Sequence, residues 1–421
     1  MNKESCGKVN SGKPQFGCTF VKQAAANTSL ICSFIFHPFE PMAGIYIHIP
    51  FCKKACTYCD FHFSTSLKYV DEMVDAICKE IILKKDRLAG QQIGSIYFGG
   101  GTPSVLPATA LQKIFDTLTR HFSIAHNAEI TLEANPDDLD AKKIAEFRQF
   151  PINRFSIGIQ SFFDEDLIWM NRAHNSIEAE TCVKRSQDAG FENLSIDLIY
   201  GYPLLTNDKW LRNINKAVEL QTPHISAYSL TVEPRTALAQ AIKRGKQVPL
   251  NDEQSADQFE TLINKSAIAG FEHYEISNFA RPGMYAVHNT NYWRGVPYLG
   301  IGPSAHGFDG TNRYLNIANN AIYMSALADG KLAETIEELD QYDRFNEYIM
   351  TSLRTMWGVD VNQIESVYGK FFVADTLKHI KPFQERNWLQ QNENIIRLTP
   401  DGKFFADYIA SELFLTPEDH M

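Results

Sequence analysis

From Ala43 onward, short apolar runs rich in β-branched residues alternate with stretches whose apolar positions recur every three or four residues. Residues 45–49 read Ile-Tyr-Ile-His-Ile and stop at Pro50. Residues 69–88 then set Val70, Met73, Val74, Ile77 and Ile81 on one helical face. The alternation continues, predicting strands over 95–98, 128–133, 154–159, 194–199 and 224–230. Helices are predicted between them over 111–122, 141–147, 164–170, 178–189 and 210–220. Strands separated by helices call for a parallel sheet with right-handed crossovers. The expected fold class is α/β, a partial (β/α)6 barrel of TIM type with its site at the C-terminal ends of the strands.

Beyond that core the pattern changes. A helix is predicted over 254–269 and a strand-like stretch over 271–279. Residues 281–317, rich in Gly, Pro, Asn and aromatics, read as a structured loop region. Helices over 342–353 and 361–368, a hairpin across 390–398 and a last helix over 402–413 predict a small, mainly helical, winged-helix-like domain. The expected division is a barrel over 42–280, a linking loop region over 281–334 and the C-terminal domain over 335–421. Residues 1–41 are rich in Ser, Asn, Lys and Gly, with one short apolar run. They read as an unstructured extension lying upstream of a natural start at Met42.

The chain has 421 residues and a net charge of -10, which disfavours a nucleic-acid partner. No uncharged apolar stretch approaches the length of a membrane span. Eight cysteines are too few for a disulfide scaffold, and a reducing cytoplasm is the expected location. Three of them, Cys52, Cys56 and Cys59, follow the first strand in C-x3-C-x2-C spacing. Zinc sites usually take four ligands in two pairs, no fourth cysteine lies nearby, and His62 is close in sequence. Three thiolates on one loop suit three irons of a [4Fe–4S] cubane, with the fourth iron open to the amino and carboxylate groups of S-adenosylmethionine (SAM). The plainer alternative is a set of buried cysteines or a zinc loop. Cys78 and Cys182 fall in helical patterns and read as core residues.

Other polar groups gather at the predicted strand ends: the glycines after strand two, Glu133 in strand three, Gln160 after strand four and Asp197 in strand five. Residues distant in the chain would thus converge on one ligand.

Several words carry a family resemblance: Tyr46-Ile47-His48-Ile49-Pro50-Phe51-Cys52, Tyr58-Cys59-Asp60-Phe61, Tyr97-Phe98-Gly99-Gly100-Gly101-Thr102-Pro103-Ser104, Ser156-Ile157-Gly158-Ile159-Gln160-Ser161 and Asp197-Leu198-Ile199-Tyr200-Gly201. With His288-Asn289-Thr290-Asn291-Tyr292-Trp293 they make the chain resemble the radical SAM family of oxygen-independent coproporphyrinogen III oxidases, and within it the heme-chaperone branch. The resemblance implies that Tyr46 packs near the cluster and the SAM sulfonium. It implies that Gly99, Gly100, Gly101 and Thr102 line the methionine end, with Glu133, Gln160, Arg172 and Asp197 completing the pocket. These residue types suit such a ligand: a guanidinium for a carboxylate, and carboxylates for an ammonium or ribose hydroxyls. The decarboxylase subgroup has a further cysteine where this chain has Phe61. That departure points to the chaperone branch.

The function so implied is to bind heme and pass it to apo-hemoproteins, with His288 as an axial iron ligand and His306 as its rival. His48 and His62 are expected to be structural. A homodimer and peripheral contact with membrane-bound partners are further expectations. Oxidative decarboxylation of coproporphyrinogen III is the alternative, with RNA modification a minor one.

Overall fold

The computed structural model describes residues 42–88 and 90–420; the extension over 1–41, with Cys6, Cys18 and Cys32, lies outside the described residues. The elements run β1 (Ala43–Ile49), α1 (Val70–Leu83), β2 (Ile93–Gly100), α2 (Ala108–His121), β3 (Ile124–Ala134), α3 (Ala141–Phe147) and β4 (Arg154–Gln160). Next come α4 (Asp164–Trp169), α5 (Ser176–Asp188), β5 (Asn193–Tyr200), α6 (Asn207–Glu219), β6 (His224–Ser229), α7 (Ala237–Lys243) and α8 (Asp252–Ile268). A hairpin, β7 (Glu272–Glu275) and β8 (Asn278–Ala280), precedes α9 (Val287–Trp293). The chain then forms β9 (Tyr298–Ile301), β10 (His306–Phe308), β11 (Asn312–Asn316), α10 (Asn320–Ala328), β12 (Glu334–Glu338) and α11 (Gln341–Leu353).

These strands make one 12-stranded sheet in the order β12-β11-β10-β9-β1-β2-β3-β4-β5-β6-β8-β7. Neighbours from β9 through β6 are parallel, and the flanks are antiparallel. The result is an unclosed α/β barrel. Alternation along each strand separates two environments. Ile45, Ile47, Ile96, Phe98, Leu132, Phe155, Ile157, Leu194 and Ile196 are buried in one apolar cluster with residues of the surrounding helices. The opposite alternation brings polar groups into register: Tyr46 beside Tyr97, Ser95 beside Glu129, Thr131 beside Arg154, Asp197 beside Ser226. Such a lining is costly without partners. Arg154 and Glu129 supply one pair at 3.8 Å.

The remaining helices and a three-stranded sheet enclose a second apolar cluster around Phe345, Ile349, Leu353, Ile364, Phe372 and Ile409. Backbone bonds from Ile276 N–H to Arg354 O (3.1 Å) and from Met356 N–H to Tyr274 O (2.9 Å) join this C-terminal part to the β7–β8 hairpin.

The expected loop region over 281–334 is corrected. It contains α9, α10 and three strands and leads into β12, and β9 adds a parallel neighbour to the outer edge of β1. Gly300, Gly302 and Gly307 are present because the backbones approach so closely: a Cβ on Gly300 would meet His306 O, and one on Gly302 would meet His48 O. The glycines that read as loop residues are packing residues of short strands. The stretch over 271–279 is likewise a hairpin, not one strand.

Candidate functional site

The cysteine loop begins where β1 ends. Its base is clasped by backbone bonds from Cys52 N–H to Ser64 O (3.0 Å) and from Ser64 N–H to Pro50 O (2.9 Å). Its middle is held to the segment after α4: Thr57 N–H donates to Met170 O at 3.1 Å, and Asn171 Nδ2 donates to Ala55 O at 2.6 Å. Asn171 adopts a left-handed φ of 58°, which Asn tolerates better than most residues. Lys53 pairs with Asp137 at 2.9 Å and with Asp138.

The Gly99–Gly101 turn is locked against the same loop. Gly101 N–H donates to Ile49 O at 2.9 Å and Thr102 N–H to Phe51 O at 2.7 Å. A Cβ on Gly101 would sit 2.6 Å from Phe51 O, so only glycine fits there. This close seating brings Thr102 Oγ1 to 3.4 Å from Cys52 Sγ. From the opposite side Arg172 Nη1 reaches Cys56 Sγ at 3.3 Å. Arg172 Nη2 also donates to Asn135 Oδ1 (2.6 Å) and Gly158 O (2.7 Å), while its buried Nε meets no partner.

Cys52, Cys56 and Cys59 open onto a cavity of about 570 Å³. Gly100, Gly101, Thr102, Glu133, Gln160, Arg172 and Asp197 line the same cavity, so most of the expected pocket converges there. Gln160 takes a left-handed φ of 65° at a register break in β4, a strained backbone for a non-glycine residue. Burial lifts the Glu133 carboxyl to about 7 against its bonds from Tyr97 Oη and Gly100 N–H, and lifts Asp197 to about 6. Burial also pushes the Cys59 thiol up to about 12 and raises Cys52.

Tyr46 and His288 line a second cavity of about 740 Å³. Tyr97, Gly100, Glu133, Tyr228 and Asn289 line both spaces, as do Asp60 and Phe61 at the loop. Phe61 is 69% exposed there. Gly99 faces neither cavity and fits among Tyr97, Tyr46 and Glu133. Tyr46 Oη meets His48 Nδ1 at 3.1 Å, His48 Nε2 meets His62 O at 2.9 Å, and His62 Nε2 meets Asn320 Oδ1 at 2.7 Å. His306 is exposed on the second cavity. His288 packs over Gly44, and its Nδ1 lies 2.9 Å from Ser95 Oγ. Burial, then Arg154, lowers His288 to about 4, keeping its imidazole neutral. Glu129 holds the start of α9 through the N–H groups of Val287 and His288, each at 3.0 Å. Sequence reasoning assigns no separate role to Glu129, Asn135 and Tyr228 and shows Tyr97 only within a family word; the inward alternation shared with Tyr46 and Glu133 is the signal for Tyr97, Glu129 and Tyr228.

Among the described residues no three His, Cys, Asp or Glu side chains converge as ligands of one metal ion. The donor set is three free thiols at the rim of a cavity, two of them already accepting hydrogen bonds, beside a guanidinium with a buried unused N–H. That set fits a multi-iron sulfur cluster with an anionic ligand next to it.

Fold and site together define a radical SAM protein, and the Radical SAM superfamily pattern matches residues 46–225. A [4Fe–4S] cluster and SAM are the cofactors of that superfamily. The HemN C-terminal domain pattern matches residues 339–405. The heme chaperone HemW of Bacillus subtilis is 33% identical over 371 residues, covering 87% of this chain and 98% of that protein. The heme chaperone HemW of Escherichia coli is 31% identical over 389 residues, covering 89% and 98%. The chain belongs to the HemW family. The solved structure of coproporphyrinogen III oxidase (HemN) from Escherichia coli shares the fold, with a TM-score of 0.77 over 89% of this chain and 90% of that one, at 23% identity. Among the described residues no helix is long and apolar enough to cross a membrane.

Proposed function

We propose that this protein is a heme chaperone that holds a [4Fe–4S] cluster on Cys52, Cys56 and Cys59, binds SAM beside it, and carries heme in the adjoining cavity for delivery to apo-hemoproteins. The observation that carries this reading is the shared wall. Tyr97, Glu133, Tyr228 and Asn289 line both the thiol-rimmed cavity and the larger one.

When bound, the cluster supplies an electron for reductive cleavage of SAM. The chain's own residues bind and orient. Thr102 donates to the Cys52 sulfur, favouring a thiolate that burial disfavours, and Arg172 donates to the Cys56 sulfur. Arg172 offers its buried Nε–H to the ligand carboxylate, and Gly100 and Gly101 bring backbone close to the methionine end. Glu133, Gln160 and Asp197 take the ammonium and hydroxyl donors. In the second cavity the aromatic rings of Tyr46, Tyr97, Tyr292, Trp293 and Tyr298 suit a flat macrocycle, and the neutral His288 suits an iron. Phe61, in place of a cysteine, sets this chain apart from the decarboxylase pattern.

The test is heme retention by anaerobically reconstituted protein. Wild type retains heme, and His288→Ala weakens retention and shifts the Soret band. An unchanged affinity and spectrum in that variant contradicts the ligand assignment. Formation of protoporphyrinogen from coproporphyrinogen III, dependent on SAM and reductant, contradicts the chaperone reading.

A further inference from the structure

Tyr292, Trp293 and Tyr298 have a second side. Besides the barrel cavity they line a groove of about 800 Å³ that runs toward α11 and the C-terminal part. Its volume lies within the range of cofactor-sized sites. Tyr348, Trp357 and Tyr368 add further aromatic wall.

Four guanidiniums line this groove, those of Arg294, Arg313, Arg344 and Arg397, against the carboxylates of Glu347 and Asp360. Glu347 is engaged with Arg313, and Asp360 caps the helix Val361–Val367 by accepting from Asn362 N–H at 2.8 Å. The other three arginines make no ion pair among the described residues. Arg294 stacks 4.2 Å over the Trp357 ring, Arg344 Nη1 donates to Leu339 O at 3.3 Å, and Arg397 Nε donates to Met356 O at 2.8 Å. Each keeps N–H donors to spare. In a chain of net charge -10, four guanidiniums against two carboxylates thus leave an aromatic-walled groove with a positive excess. Their mutual repulsion is relieved by an anion, and the fork of an arginine matches a carboxylate best.

We infer that this groove binds a flat aromatic ligand bearing carboxylates, a tetrapyrrole dicarboxylate, with its acid edge on Arg294, Arg344 and Arg397 and its ring against the aromatic wall. The inference rests on the proposed heme-carrier function and adds a second position to it. Because Tyr292, Trp293 and Tyr298 face both spaces, the groove is a holding place on the way into or out of the barrel cavity. It grips the carboxylate edge and needs no iron.

The experiment titrates the full chain with iron-free protoporphyrin IX and with its dimethyl ester, followed by fluorescence. The diacid binds at least tenfold more tightly than the diester, about the size of one charge-assisted hydrogen bond. The Arg294→Gln, Arg344→Gln double variant brings the diacid to the level of the diester. Arg294→Gln alone, at an exposed side chain, weakens the diacid about threefold and serves if the double variant does not fold. Diacid binding that survives His288→Ala supports a site separate from the barrel cavity. Equal affinities for diacid and diester, or no response to the arginine changes, overturns the groove. Heme binding without any diacid binding overturns the groove alone, whereas failure to bind either overturns the carrier reading with it.

Discussion

Arg172 joins Cys56 to the barrel: one terminal nitrogen lies 3.3 Å from the Cys56 sulfur, and the other grips Asn135 Oδ1 and Gly158 O at 2.6 and 2.7 Å. The cysteine loop comes from the end of β1, and its partner comes from the segment after α4. The planar fork couples two distant pieces of chain and fixes where the second thiol stands. Its buried Nε meets no acceptor within the chain, which leaves a donor for a ligand.

Lysine keeps the charge but cannot make the fork. Arg172→Lys is expected to lower SAM affinity at least tenfold in reconstituted protein, read by calorimetry, with the fold retained. Arg172→Ala leaves Asn135 Oδ1 and Gly158 O without their donor, and is expected to cost about 1–3 kcal/mol in denaturant unfolding. Unchanged SAM affinity in the lysine variant contradicts the role.

Glu133 gives a pH test. Its carboxyl is raised to about 7 in the folded chain, with burial the main cause. A raised acid binds its proton more tightly folded than unfolded, so its effect on stability becomes increasingly unfavourable as pH rises from the ordinary carboxylate range through about 7. Glu133→Gln removes that loss. The cofactor-free variant is expected to melt roughly 2 °C above wild type at pH 8 and level with it at pH 5. SAM affinity runs the other way. An ionised Glu133 is the stronger acceptor, so affinity rises through about pH 7 in wild type and flattens in the variant. Identical profiles for the two proteins contradict a ligand contact at Glu133.

The placement of β9–β12 depends on a buried ionic group. Lys84 Nζ contacts Glu80 (2.6 Å), Glu334 (3.0 Å), Asn316 Oδ1 (2.9 Å) and Gly300 O (3.0 Å), and Glu80 in turn accepts from Gly302 N–H at 2.7 Å. Lys84→Met leaves the Glu80 carboxylate buried without a cation, while Glu334 keeps Arg87, and is expected to cost about 3–5 kcal/mol, measured by denaturant melts. A loss below about 1 kcal/mol would show that water replaces the ammonium easily.

The parallel core could be read from the chain because each strand is short, apolar and followed by a helix of clear period. The helix Ala141–Phe147 matches residue for residue. The region after Ala280 could not. Its strands are three to five residues long, interrupted by glycines whose role is close backbone packing, and held by Glu80 of α1 and Lys84 just past its end. Those two residues look like an exposed i,i+4 pair on a helix until strands from far along the chain cover them. In the site, the thiol spacing and the strand-end polar residues were visible. The division into two cavities was not, since Tyr46 and His48 on β1 face the second cavity while Cys52, four residues past His48, faces the first. The three arginines of the outer groove come from separate elements, and no local pattern joins them.

The most direct measurement is iron and sulfide content after anaerobic reconstitution, with electron paramagnetic resonance of the reduced protein before and after SAM. About four irons per chain, and a signal that changes on adding SAM, are expected. Each of Cys52→Ser, Cys56→Ser and Cys59→Ser should abolish both. Zinc in place of iron, or a reduced signal indifferent to SAM, would contradict a three-thiol cluster with one position open to ligand.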